Sequence, residues 1–433
     1  MLRSGILLSL LFLNNFCFSQ DAATLLRVKY FTEKAQNYLD KEKALSGFYS
    51  IDKDGITMYA SAINKANHKD EFFIGWNNLV HFNDQIKRCI PGIAFETYKS
   101  GKYGAVVSCM IPEKIVDRVY TPEKKPLEGL KIALDPGHIA YDFEMGDLEK
   151  KHIKMKADTA RGLNDSVEIA EGMLTYATAQ LLKTKLEKEG AEVLLTRKDG
   201  NSAFGKTYGQ WKKEDLAKAV DSLAKTGELK AGQKKYFLSE KAKDRDIFRV
   251  IFRDLELAKR VELINKYKPA FTVIIHYNVD ETNKEWDKPS GRNMNMAFVG
   301  GAFMKNDLSD MEKRFEFLRL LISDDIEKSV SLSEAVVSAF EKKLDVPTAT
   351  IRSAKYLIEG CLPTGINGVY CRNLQLPRYI HTPLVYGETL FQDNIGEVQL
   401  LNKEADKTKN ERVQRVAEAY FQGILDYVNK KTE

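Results

Sequence analysis

The sequence has little of what marks an unusual chain: 11 prolines, 27 glycines, five cysteines and six histidines in 433 residues, of which 43% are hydrophobic. So few prolines and glycines exclude a collagen-like or disordered chain. No repeat of fixed period recurs, and no CxxC pair or Cys/His spacing of a structural zinc site is present. Neither sign of charge dominates. Lys plus Arg is 66, Asp plus Glu is 61, and the net charge of +5 is too small to argue for a nucleic-acid partner. The apolar run at the start, residues 6–13 broken by Ser9, falls well short of the ~20 residues that cross a bilayer.

That run follows a single cation, Arg3, and gives way to small or polar residues near Ser19. It reads as a secretory signal peptide over residues 1–20, cleaved near Ser19 or Gln20, and places the mature chain in the periplasm or cell envelope with no membrane span. Asn14, Asn15 and Phe16 before Cys17 lack the small residues that lipoprotein processing requires. Four cysteines then remain. In an oxidising compartment Cys89 can pair with Cys109 and Cys361 with Cys371; four buried thiols is the other reading.

At about 150 residues per domain the length predicts two or three domains, or one with inserts. Residues 21–128 read as a small α+β domain of unknown role: a helical pattern over 22–44 precedes short β-prone runs at 48–51, 56–60 and 103–110. A linker rich in proline and charge covers 120–129. Residues 129–433 alternate apolar strands, at 131–135, 192–196, 272–276 and 383–387, with helices over about 165–189, 245–266 and 332–343. Their continuous apolar centres predict strands buried on both faces in an α/β fold with a mixed, mostly parallel sheet. Two excursions interrupt the alternation, at about 200–244 and at 302–328. Within the first, residues 212–243 carry nine lysines against five acids and read as a solvated, partly helical segment.

Ligands of α/β sheets collect at the carboxyl ends of the strands. There KIALD runs into Pro136-Gly137-His138, FTVII into His276, and PLVYG into Glu388, while Glu171 lies early in the helix after the first strand's loop. Two histidines and a carboxylate with an open fourth position make a hydrolytic zinc site, and a second carboxylate can serve as general base.

The blocks LKIALDPGH, EGMLTYATAQLLKTKLEKEG with AEVLLTR, the segment before FTVIIHYN, and GVYCRNL followed by PLVYGETLFQDN together resemble the zinc-dependent N-acetylmuramoyl-L-alanine amidases. These secreted enzymes cleave the bond between N-acetylmuramic acid and L-alanine in peptidoglycan. The resemblance covers residues 130–427 and implies an amidase-like α/β fold acting on peptidoglycan in wall remodelling or daughter-cell separation. It implies that Zn2+ is held by His138, Glu171 and His276, with Glu388 catalytic; Glu168, one helical turn before Glu171, is the rival ligand. In one branch an inserted helical region covers the site until an activator protein displaces it. Residues 302–328 stand at the corresponding place, with Asp310, Glu312 and Glu316 as candidates for the open metal position. The chain departs from the pattern at Ile139-Ala140-Tyr141, where glycines are usual, at Tyr277, where a small residue is usual, and in the long loop 141–165. Two readings compete with the peptidoglycan amidase. One is a catalytically silent wall-binding or regulatory protein of the same fold, and the other a zinc amidase or peptidase acting on another amide.

Overall fold

The computed structural model describes residues 22–88, 92–103, 125–198, 200–283 and 286–430. The expected signal peptide, Cys89, Cys109 and residues 104–110 of the last β-prone run lie outside them. Two compact units emerge, one from the chain before Val116 with Gly301–Asp324, the other from Val116–Gly300 with Asp325–Glu433.

In the first unit an antiparallel sheet joins β1 (Tyr49–Ile51), β2 (Gly55–Met58) and β3 (Phe72–Gly75). Of these, β3 had no sequence signal. The expected helix over 22–44 is shorter, turning π-helical at Ala35–Leu39. Residues 302–328, expected as an insert of the second domain, divide between the units. The helix Met311–Ile322 belongs to the first, and nine of its residues are buried. Its charges are neutralised locally: Arg314 binds Glu71 at 2.5 Å, Glu71 also accepts from the Tyr98 hydroxyl at 3.0 Å, and Arg319 donates to Glu316 at 2.5 Å. Buried ion pairs explain how so charged a stretch lies inside a core.

The second unit holds β4 (Lys131–Pro136), β5 (His152–Met155), β6 (Val167–Ala170), β7 (Glu192–Leu195), β8 (Phe271–Asn278), β9 (Met296–Val299), β10 (Cys361–Pro363), β11 (Val369–Arg372) and β12 (Leu384–Phe391). Seven of them form one sheet in the order β10-β11-β9-β12-β8-β4-β7; β12, β8, β4 and β7 run parallel, and β9–β12 and β10–β11 antiparallel. This is the mixed, mostly parallel α/β sheet expected, and the four strands read from continuous apolar runs stand side by side in it, from β12 to β7 at the edge. The β5–β6 hairpin stands apart and occupies the start of what was expected to be helix, so that helix begins only at Glu171.

Alternation along the strands buries both faces. Ala133, Ile274 and Leu384 pack against Leu257, Val261 and Ile264 of the helix Arg253–Tyr267. Toward the opposite face the helices Glu171–Lys188, Asp325–Leu344 and Glu411–Lys430 stack on the sheet. The lysine-rich excursion folds into the helices Tyr208–Glu214, Leu216–Lys225 and Ala231–Phe237, whose Trp211, Val220 and Phe237 share an apolar cluster with Phe248 and Phe252.

The helices Asp325–Leu344 and Glu411–Lys430 approach most tightly at Gly423, where a Cβ would stand 2.6 Å from the Val336 Cα. Alanine is the better helix former by about 1 kcal/mol, yet here overpacking wins. Gly423→Ala is expected to destabilise the protein by about 1–3 kcal/mol in urea unfolding; a gain in stability would show that the helices separate freely.

Candidate metal centre

The site grows from the turn after β4. Gly137 leads into His138 at φ +59°, a left-handed conformation that non-glycine residues seldom hold. Side chains grip the carbonyls of the turn: Arg197 donates to Pro136 O at 3.1 Å, the Thr175 hydroxyl to Gly137 O at 2.6 Å, and Arg260 to Pro136 O at 2.8 Å and His138 O at 3.3 Å. Arg260 is held in turn by Glu256 at 2.8 Å and Asp135 at 3.3 Å, all of them buried. Gly137 is required for a second reason, since a Cβ there would lie 2.3 Å from the His276 ring.

Three donors converge on this turn. Glu171 is the first residue of its helix, where the dipole favours a negative charge. Its Oε1 lies 3.2 Å from His138 Nε2 and 3.1 Å from His276 Nδ1, and the three candidate ligand atoms all fall within 4.8 Å of one another. Glu171 Oε2 is buried with no hydrogen-bond donor; the nearest cation is Lys151 Nζ at 3.7 Å. Burial opposes the charge on Glu171, but His138 and Lys151 hold its carboxyl well below the usual range. Burial presses His276 down to about 4. It presses on His138 too, yet Glu171 and Glu149 prevail and lift it to about 9. A buried carboxylate with one oxygen left without a donor, facing two imidazoles, is a donor set that fits a divalent cation of the zinc type.

Glu149, absent from the sequence reading, turns out to orient His138. It ends the helix Phe143–Glu149, against the helix dipole. Its Oε1 lies 2.9 Å from His138 Nδ1, while Oε2 accepts from the amides of Ile139 at 3.1 Å and Ala140 at 3.0 Å. Burial disfavours its charge, but His138 and the Ile139 amide hold its carboxyl below the usual range. In sequence it is one acid before two lysines of a charged loop; the Asp142 cap of a short helix was the signal available.

Glu388 stands on β12 directly beside His276 in the parallel register, so the two share a face, and the register shifts between Glu388 and Phe391. Burial, and next the Glu171 charge, push its carboxyl up to about 8. Two residues before it, Tyr386 stacks on the His276 ring at 4.4 Å between centroids. His138, His276 and Tyr386 line a cavity of about 430 Å³.

Most of the other sequence candidates have partners of their own. Glu168 is exposed on β6 and pairs with Lys154 at 3.1 Å, leaving Glu171 as the carboxylate between the histidines. Tyr277, which stands where the family usually has a small residue, points to the other face of β8, where its buried hydroxyl meets Thr178 at 2.8 Å; successive strand residues face opposite ways. Asp310 caps its own helix and Glu316 binds Arg319. Cys361 and Cys371 are buried free thiols.

Compared with known proteins, residues 132–426 match the family model described as N-acetylmuramoyl-L-alanine amidase. Solved structures similar to this chain include the CwlD amidase from Clostridioides difficile in complex with the GerS lipoprotein, 18% identical over 70% of this chain and 99% of that one, with a TM-score of 0.38. Another is the N-acetylmuramyl-L-alanine amidase Ami1 from Mycobacterium smegmatis, at 15% identity, the same coverage of 70% and 99%, and a TM-score of 0.37. A third is the N-acetylmuramoyl-L-alanine amidase from Clostridium difficile 630, at 16% identity over 70% of this chain and 98% of that one, with a TM-score of 0.37. No curated protein matches the sequence.

Partners that orient a ligating histidine typically contribute 10–100-fold in metal affinity. Glu149→Gln is therefore expected to weaken zinc binding by about that factor in chelator competition, with the fold intact by circular dichroism. Unchanged affinity would mean that His138 is positioned without Glu149.

Proposed function

The chain belongs to the family of N-acetylmuramoyl-L-alanine amidases, hydrolases of the amide between N-acetylmuramic acid and L-alanine in peptidoglycan, and from that premise we propose that it works with one zinc ion held by His138, Glu171 and His276 and with Glu388 as its proton-transfer group. The observation that carries this reading is the Glu171 carboxylate, buried between the two histidines with one oxygen lacking a hydrogen-bond donor.

Zinc bound there supplies a polarised carbonyl and a water whose pKa falls toward ~7. The chain's own residues do the rest. Glu388 takes the proton of the attacking water and returns it to the leaving L-alanine nitrogen, so that water and amide become a lactyl carboxylate and a free amine. Its raised pKa suits a group that must accept a proton and give it up again. Glu149 keeps His138 Nδ1 engaged so that Nε2 faces Glu171. Tyr386, stacked on His276, fixes that ring's plane.

The reading extends to location. Peptidoglycan amidases act at the cell wall, and among the described residues no helix is long and apolar enough to cross a membrane. With the signal-like residues 1–20, this supports a secreted enzyme of the cell envelope. Tyr277, one of the bulky departures from the family pattern, has its side chain committed to the helix face and so does not favour a different amide.

Glu388→Gln is expected to retain zinc and lose about 10²–10⁴-fold in turnover, and His138→Ala to lose both metal and activity. Purified sacculi incubated with and without chelator, with products identified by mass spectrometry, provide the assay. Free stem peptides and intact glycan, abolished by chelator, are expected; near-normal turnover by Glu388→Gln would overturn its role, and cleavage only within stem peptides would overturn the amidase reading.

A further inference from the structure

Two cavities meet at a single side chain. Ile139, next to the metal-site histidine, lines both the cavity of about 430 Å³ and a neighbouring groove of about 930 Å³. Their chemistries are opposed. The first is lined by the π-helical turn Phe248–Phe252, which runs directly into the helix Arg253–Tyr267. Such a turn carries one more residue per hydrogen-bonded ring and is frequent at functional sites; here Arg249 and Arg253 line the cavity together with Phe248 and Phe252. Arg253 is paired with the adjacent Asp254 at 2.9 Å, whereas Arg249 is exposed and has no ion-pair partner among the described residues.

The groove presents the reverse. Asp142, Glu144 and Asp147 line it, Asp147 paired with Lys150 at 2.5 Å, and its lysine, Lys212, is already bound to Asp244. Tyr141 stands in it 46% exposed. Its ring is set edge-on to Tyr176 at 6.1 Å and abuts Gly200, where a Cβ would come within 3.2 Å of it. An aromatic face fixed in place, ringed by carboxylate acceptors, suits a neutral chain rich in hydroxyls and repels carboxylates.

The bond to be cleaved joins just such a sugar to a peptide that bears free carboxylates. Resting on the amidase reading, we infer that the substrate lies across Ile139, with the stem peptide on the arginine side, its free carboxylate held by Arg249, and the glycan strand in the groove against Tyr141. This orientation makes Arg249 and Tyr141 determinants of specificity on opposite sides of the reacting bond.

Two probes differing in one carboxylate test the peptide side: N-acetylmuramoyl-L-alanyl-D-isoglutamate and its isoglutamine counterpart, each with the γ-carboxyl capped as a methylamide so that the isoglutamine probe carries no free carboxylate. A charge-assisted contact of this kind corresponds to about tenfold, so Arg249→Gln should raise KM for the isoglutamate probe about tenfold and leave its KM for the isoglutamine probe, kcat and zinc content unchanged. Arg249→Lys should recover part of the loss. Calorimetric binding of both probes to zinc-loaded Glu388→Gln, with and without the Arg249 substitution, should repeat the pattern without turnover. On the glycan side, Tyr141→Ala should raise KM for multi-disaccharide chains bearing the same stem but not for the single-sugar probes, and Tyr141→Phe should behave as wild type. Equal effects of Arg249→Gln on both probes, no effect on either, or glycan-length sensitivity in Arg249→Gln instead of Tyr141→Ala would overturn the orientation. Failure of the amidase reading looks different: the zinc-loaded wild type would release no L-alanyl peptide from either probe or from sacculi.

Discussion

Glu171 carries a negative charge into a place where water does not reach it. A buried carboxylate costs several kcal/mol unless cations or donors repay the lost hydration, and here the repayment is uneven. One oxygen faces two imidazoles, while the other has only the Lys151 ammonium, beyond hydrogen-bond reach. A divalent cation would resolve the imbalance, and the three donor atoms lie close enough together to hold one. The helix starts at residue 171 because the β5–β6 hairpin occupies the chain just before it. Gly137 and Gly172 let the His138 loop come close: a Cβ at Gly172 would stand 2.4 Å from the Ala140 carbonyl oxygen, just as one at Gly137 would strike the His276 ring.

The surrounding shell keeps that geometry rigid. Arg260, Asp135 and Glu256 form a buried charged network under the turn whose hydrogen bonds end on the carbonyls of Pro136 and His138, and the buried Arg197 beside it binds the carbonyls of Pro136 and Gly137. Removing one partner of such a network leaves an unpaired buried charge at a cost of roughly 3–5 kcal/mol. The network therefore favours one conformation of the loop over its alternatives. Glu149 completes the arrangement from the opposite side of His138, gripping its ring and the two amides that follow it.

The parallel part of this sheet is legible in the sequence because burial on both faces writes continuous apolar runs in β4, β8 and β12, and the half-buried edge strand β7 carries a shorter one. His138 just past β4, and His276 and Glu388 within the carboxyl-terminal halves of β8 and β12, are legible too, since polar residues that interrupt such apolar runs stand out. Short elements lack that contrast. β5, β6, β9, β10 and β11 span only three or four residues each, and nothing in so short a string separates a hairpin from the first turn of a helix. Spacing therefore left Glu168 and Glu171 as rivals until the hairpin put Glu168 in solvent. Glu149 was hidden for a different reason: its role depends on a contact eleven positions back in the chain, and no local pattern encodes a partner. The charged stretch before Asp325 read as an insert of the second domain because composition does not reveal that Arg314 finds Glu71 and Arg319 finds Glu316.

X-ray absorption at the zinc edge tests the central claim most directly, on the zinc-loaded protein and on Glu171→Ala. Two imidazole nitrogens and a carboxylate oxygen at about 2.0–2.2 Å, with loss of the carboxylate scatterer and of tight binding in Glu171→Ala, are the predicted result. Sulfur scatterers at about 2.3 Å, or a spectrum unchanged by Glu171→Ala, would contradict it.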